Sequence, residues 1–115
     1  VGCLLNKMAN DPVTDYPIVA TGPDVTRQVL SDHPDLMVVA FRFGAAGAIG
    51  ALHSHPLVQS TYVERGRFRF TLGDTEREVG PGDSFVVPSG QTHGCVCLVP
   101  GTLVDCFTPR REDFL

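Results

Sequence analysis

The chain reads as an all-β protein folded into a small sandwich or barrel. Three observations predict this. Twelve glycines and nine prolines punctuate the chain at short intervals. The runs between them are rich in Val, Phe, Thr and Leu. No window of useful length carries an apolar stripe of 3.6-residue period.

The elements follow in order. Leu36 to Phe43 is a Val- and Phe-rich strand. Ser60 to Glu64 is a second. Arg67 to Leu72 alternates Arg67, Arg69 and Thr71 against Phe68, Phe70 and Leu72, the period of a strand with one wet face. Glu76 to Val79, Ser84 to Val87, Cys95 to Val99 and Thr102 to Thr108 complete the set. Turns are predicted at Arg65-Gly66, Gly73-Asp74, Gly80-Pro81-Gly82-Asp83, Pro88-Ser89-Gly90 and Pro100-Gly101, where Gly and Pro supply the backbone angles that tight turns need. A short helical turn is predicted near Asp24 to Leu30. One domain is expected over 16–115, behind a poorly anchored segment over 1–15.

Composition narrows the partners. With 43% hydrophobic and 19% charged residues the 115-residue chain is that of an ordinary globular domain. The net charge is −4 and there is no Lys/Arg stripe, so no nucleic-acid partner is expected. A small anion still binds where a few arginines converge. No apolar run is long enough to span a bilayer, and no membrane association is expected. The stretch Val1 to Lys7 is too short and polar for an intact signal peptide. The four cysteines, Cys3, Cys95, Cys97 and Cys106, lack the loop-rich texture of a disulfide scaffold. They read as small apolar residues of a cytoplasmic protein, and Cys95-x-Cys97 lacks the second thiol pair of a soft-metal site.

The histidines carry the chemistry. His53-Ser54-His55 adjoins a strand, where alternate residues face one side, so both rings aim at one point. Gln59 has the same parity. His93 arrives from far along the chain, just after the Pro88-Ser89-Gly90 turn. His33, in Asp32-His33-Pro34, reads as a surface turn. A lone His-x-His pair is more often structural than metal-bound; the frame around this one changes the balance.

That frame resembles the cupin family, whose first motif runs G-x5-H-x-H-x3-E-x6-G and whose second runs G-x5-P-x-G-x2-H-x3-N. Gly47, His53, His55 and Gly66 match the first motif; Gly82, Pro88, Gly90 and His93 match the second. The resemblance implies a cupin double-stranded β-helix, a jelly-roll barrel, with one divalent metal ion inside on His53, His55, Gln59 and His93. Imidazole-rich ligation suits Zn, Ni, Fe, Mn or Co. Two positions depart from the motif. Cys97 stands in place of the final Asn, and Gln59 stands in place of Glu. A neutral carbonyl oxygen leaves the full dipositive charge on the ion, which weakens binding and strengthens its Lewis acidity. The competing reading is that Gln59 has forfeited the metal, leaving a ligand-binding barrel.

A narrower resemblance is to the KdgF-type cupins of pectin degradation. It runs through Gly47-Ala48-Ile49-Gly50-Ala51-Leu52-His53-Ser54-His55-Pro56, Gln59, Gly66 to Gly73 and the tail from Leu103 to Leu115. It implies conversion of 4,5-unsaturated monouronates from pectin or alginate to linear keto forms, with Asp105, Phe107 and Arg111 as catalytic residues. The tail's own pattern agrees in part. Leu103, Asp105 and Phe107 share one face of a strand, and a buried carboxylate is costly unless paired or used. Asp105 paired with Arg42 or Arg111, and Phe107 as plain core, remain the structural alternatives. In the implied reaction Asp105 relays a proton, Arg111 or Arg42 holds the substrate carboxylate, and Phe107 shapes the pocket. Two other functions compete: a metal-dependent dioxygenase, and a non-enzymatic sugar- or effector-binding module. A homodimer is expected, since isolated barrels of this size often pair through a sheet.

Overall fold

The computed structural model describes residues 15–115; the expected loose segment over 1–15, apart from its last residue, lies outside them. Eight strands make up the described chain: β1 Val19–Gly22, β2 Val25–His33, β3 Leu36–Phe43, β4 Ile49–His53, β5 Val58–Leu72, β6 Thr75–Val79, β7 Ser84–Val87 and β8 His93–Thr108. A single 3-10 turn, Glu112–Phe114, follows them. All strand pairs are antiparallel. The path β1-β2-β3-β8-β5-β6 forms one sheet, with β4 on β8 and β7 on β5.

Two long strands organise the barrel. The C-terminal half of β8 lies between β3 and the first half of β5, while its N-terminal half lies between β4 and the second half of β5. Each of these long strands therefore runs through both halves of the double-stranded β-helix. The predicted turns at Arg65-Gly66 and Pro100-Gly101 are instead bends inside β5 and β8, marked by register shifts around Arg65. The two backbones touch there. A Cβ on Gly66, at φ +86°, would fall 2.5 Å from the Val99 carbonyl oxygen, and one on Gly101 would collide with the Arg65 carbonyl. Glycine at both positions lets the sheets fold over without a break in the chain.

The predicted helical turn over Asp24 to Leu30 is also corrected: Val25–His33 is a strand, hydrogen-bonded to β3 from Val25↔Phe43 to His33↔Leu36. Asp24, at φ 60°, makes the tight β1–β2 turn. Long-range pairing outweighs the weak local preference of this polar segment.

Alternation sets inside against outside. Across β5, β8 and β3 the row Thr61–Asp105–Val39 points inward, as do Gln59–Phe107–Met37 and Val63–Leu103 with Phe41. The apolar interior forms two clusters. One gathers Phe43, Val63, Phe68, Phe70, Val87 and Leu103 among others; the second gathers Val29, Met37, Val39 and Phe107. The tail is drawn back onto the barrel by a two-pronged Arg110–Asp32 pair, Nε to Oδ1 3.0 Å. Arg110 lies next to Arg111, so this anchor positions the residues that cap the interior.

Candidate metal centre and cavity

A cavity of about 310 Å³ opens between the two clusters. His53, Gln59, His93, Asp105, Phe107, Arg111 and Phe114 all line it. Strand pairing brings the histidines together. His53 ends β4 and lies directly across from His93, the first residue of β8. His55 follows two residues later, and Gln59 sits near the start of β5. The ligand atoms of His53, His55 and His93 lie within 4.8 Å of one another. His55 and His93 are buried, while His53 faces the mouth.

Each imidazole is aimed by its own backbone. Nδ1 of His53 lies 2.8 Å from the Ala51 carbonyl oxygen, that of His55 3.0 Å from Leu57, and that of His93 2.9 Å from Gln91. A carbonyl oxygen only accepts, so each Nδ1 carries the proton and a neutral ring offers its Nε2 lone pair to the cavity. Burial holds the His93 pKa down to about 4, outweighing the Gln91 hydrogen bond, so this ring is neutral at pH 7. Phe70 lies parallel to the His93 ring, with centroids 6.4 Å apart, and walls off its far side.

Gln59 is aimed by a relay. Its amide nitrogen donates to Thr61 Oγ1 at 2.9 Å, and the Thr61 hydroxyl donates to Asp105 Oδ1 at 2.7 Å. The carboxylate at the end of the chain sets the direction of both bonds. Gln59 Oε1 is thereby turned toward His55 Nε2, 3.0 Å away. Two atoms presenting lone pairs face each other there, and His93 Nε2 is buried with no hydrogen-bond partner. Such an arrangement is unfavourable for the protein alone and suits a shared cation. Three imidazole nitrogens and one carbonyl oxygen are also a chemically sound set for a first-row divalent ion.

Asp105 is 6% exposed. Burial raises its carboxyl pKa from 3.8 to about 7, against the opposing pull of the Thr61 bond and the Arg111 charge. Its hydrogen-bond partner is Thr61; neither Arg42 nor Arg111 pairs with it. Arg42 points outward, as its neighbours Phe41 and Phe43 line the cavity, and donates to Gln28 Oε1. Strand alternation between two inward phenylalanines carries that signal, and it removes Arg42 as an inward cation. Arg111 does reach the cavity, but its Nε and terminal nitrogen both donate to Asp113. Phe107 is core and wall at once: 1% exposed, it meets His55 at 5.7 Å and Phe114 at 5.9 Å between ring centroids.

Sequence reasoning passed over Thr61, Arg27 and Phe114. Thr61 shares the parity of Gln59, which was a readable sign of an inward position. Phe114 lies in the tail, where no periodicity points to the cavity. The cysteines behave as expected of small apolar residues in part: Cys95 and Cys97 are buried, Cys106 is half-buried, and burial pushes the Cys95 thiol up to about 12. Cys3 lies outside the described residues. No helix among the described residues is long and apolar enough to cross a membrane.

A double-stranded β-helix with three imidazoles and an amide oxygen converging in its interior defines a cupin with a candidate metal site. Residues 41–105 match the cupin-domain family, and the chain belongs to the cupin family. It is 36% identical over 96 residues to the pectin degradation protein KdgF of Dickeya dadantii, covering 82% of this chain and 86% of that one. KdgF from Halomonas sp. superposes with a TM-score of 0.82 at 37% identity, over 88% of this chain and 93% of that one. An RmlC-like cupin from Shewanella frigidimarina gives 0.82 at 38% identity, over 88% and 90% of the two chains.

Proposed function

We propose that this cupin opens the ring of 4,5-unsaturated monouronates and converts them to linear keto acids, as a step in the breakdown of pectin or alginate. The observation that carries the reading is the Gln59–Thr61–Asp105 relay, which joins the candidate metal ligands to a buried carboxyl of raised pKa in one cavity. Similarity to the pectin degradation protein KdgF and to KdgF from Halomonas sp. supports a pectin-derived substrate. A cavity of about 310 Å³ suits a monosaccharide rather than a polymer.

His53, His55 and His93 through Nε2, with Gln59 through Oε1, would hold the divalent ion. When bound, such an ion supplies Lewis acidity where negative charge develops on a substrate oxygen. The remaining chemistry is proton movement. Ring opening breaks the C1–O5 bond as the anomeric hydroxyl loses a proton and O5 gains one, leaving an aldehyde and an enol. Ketonisation then adds a proton at C4 while O5 releases one, so the product is an isomer of the substrate. Asp105 is suited to both transfers, because a carboxyl that titrates near neutrality both gives and takes a proton. Thr61 occupies Oδ1 of that carboxyl and holds it in place. Phe107 packs beside His55 and presents an apolar wall to the sugar. Arg111, steadied by Asp113, adds positive charge at the same wall.

Incubation of the metal-loaded protein with unsaturated galacturonate should remove the enol-ether ultraviolet absorbance faster than buffer does, without oxygen uptake. Asp105→Ala should slow it by about 10²- to 10⁴-fold. No acceleration by the wild type would overturn the reading. Oxygen consumption would favour the dioxygenase alternative, and tight binding without turnover the binding-module alternative. The same reading takes the protein as cytoplasmic, supported by the free thiols of Cys95, Cys97 and Cys106. It also takes it as a homodimer, supported by Tyr62 and Val86 standing exposed on the outer face of the sheet; light scattering at micromolar concentration tests that directly.

A further inference from the structure

A second guanidinium lines the cavity, against the same Phe114 ring that Arg111 touches. Arg27 lies on β2, paired with Phe41 of β3, and both side chains line the cavity. Its neighbours Thr26 and Gln28 pair with Arg42 and Ala40 on the other face. An arginine turned inward on a strand gives up hydration, which is unfavourable unless the charge is used.

Among the described residues, what surrounds Arg27 is mainly aromatic. Its Cζ sits 4.3 Å from the centroid of the Phe114 ring. Stacking of this kind engages the flat face of a guanidinium and leaves its N–H groups available. Among the described residues the Arg27 side chain makes no hydrogen bond or close ion pair, and it meets the Asp113 carboxylate, which Arg111 holds, only through space. The other arginines near the tail differ: Arg111 spends its fork on Asp113 and Arg110 on Asp32. Arg111 also stacks on Phe114, at 4.2 Å. The 3-10 turn thus places one aromatic ring where it steadies two cations, of which Arg27 alone has no hydrogen-bonded acceptor among the described residues.

We propose that Arg27 grips the carboxylate of an anionic sugar in this cavity and so selects uronates over neutral sugars, an inference that rests on the uronate reading above. A planar fork with free donors matches a carboxylate bidentately. The chain's net charge of −4 offers no general attraction for anions, so selection for one has to be local. Asp105 in the same cavity opposes an anion whenever it is ionised, and Arg27 offsets that repulsion.

The test uses metal-loaded protein and two readouts. In calorimetric titrations galacturonate should bind wild type more tightly than galactose does. Arg27→Gln should lose about 10- to 100-fold of galacturonate affinity with galactose unchanged. Arg27→Lys, which keeps the charge but not the fork, should fall between them and guards against misfolding of the first variant. In turnover of unsaturated galacturonate, Arg27→Gln should raise KM by a similar factor and change kcat much less. Equal sugar preference in wild type and Arg27→Gln, or no preference in wild type, overturns the inference. Failure of turnover alone, with an Arg27-dependent preference intact, overturns the ring-opening reading and leaves Arg27 as the anion grip.

Discussion

Thr61 is not among the residues that line the cavity, yet the site should fail without its hydroxyl. It is fully buried and makes two hydrogen bonds through one oxygen, accepting from Gln59 at 2.9 Å and donating to Asp105 at 2.7 Å. Thr61→Val keeps the shape and removes both. The neutral bond contributes about 1 kcal/mol and the bond to the carboxylate about 1.5–3 kcal/mol, so the variant should be less stable by about 2–4 kcal/mol. The more specific effect is on the metal. Gln59, 3% exposed, is left with an unsatisfied amide whose best remaining move is to turn its nitrogen toward His55 Nε2, which takes Oε1 out of the ligand set. Losing an outer partner of this kind typically weakens metal binding about 10- to 100-fold. Competition for Zn²⁺ against a chromophoric chelator measures it. Thr61→Ser, which restores the hydroxyl, should recover most of the affinity. Wild-type affinity in a folded Thr61→Val protein would refute the relay.

Other consequences are equally direct. A carboxyl whose folded pKa is raised contributes stability that is fully present below its ordinary 3.8 and lost as pH rises through about 7. Metal-free Asp105→Asn should therefore be more stable than metal-free wild type at pH 8, by up to about 4 kcal/mol, and the difference should vanish near pH 4; urea midpoints at both pH values check this. Gln59→Glu should bind divalent metal roughly tenfold more tightly or better, since a carboxylate beside a dipositive ion gains more than about 2 kcal/mol even in water. The same variant should turn over more slowly, because it halves the net charge of the centre and raises the Asp105 carboxyl further; chelator competition and initial rates separate the two effects. Gly101→Ala drives a methyl into the Arg65 carbonyl and should cost about 3 kcal/mol, seen as a melting point lower by about 10 °C or more.

The sequence carried the local facts of this fold well. Leu36–Phe43 and Ser84–Val87 stand where composition and turn residues put them, and the face that alternation gives to Leu103, Asp105 and Phe107 turns out to line the cavity. What local patterns do not carry is continuity and closure. Gly66 and Gly101 read as turns because a bend within a strand and a turn between strands ask for the same residue. Val25–His33 reads as ambiguous because its pairing with β3 is a long-range property. The convergence of His53, His55 and His93 was legible through spacing. The relay behind it was not, since nothing short of strand register places Thr61 opposite Asp105 across 44 residues. Arg42 and Arg27 make the complementary case: both lie beside Phe or Thr in strands, and register decides which one looks inward.

The three carbonyls of Ala51, Leu57 and Gln91 divide the labour of building the centre in an instructive way. Each lies two residues from the ring it steers, so the direction of every imidazole is written into a tripeptide, while the place where the rings meet is written into the pairing of β4 with β8. Orientation and location are thus encoded on separate length scales. Substitutions elsewhere in the barrel shift where the three nitrogens converge without rotating any of them. The aim of the three rings is thus set apart from Gln59, which is held by its own relay through Thr61.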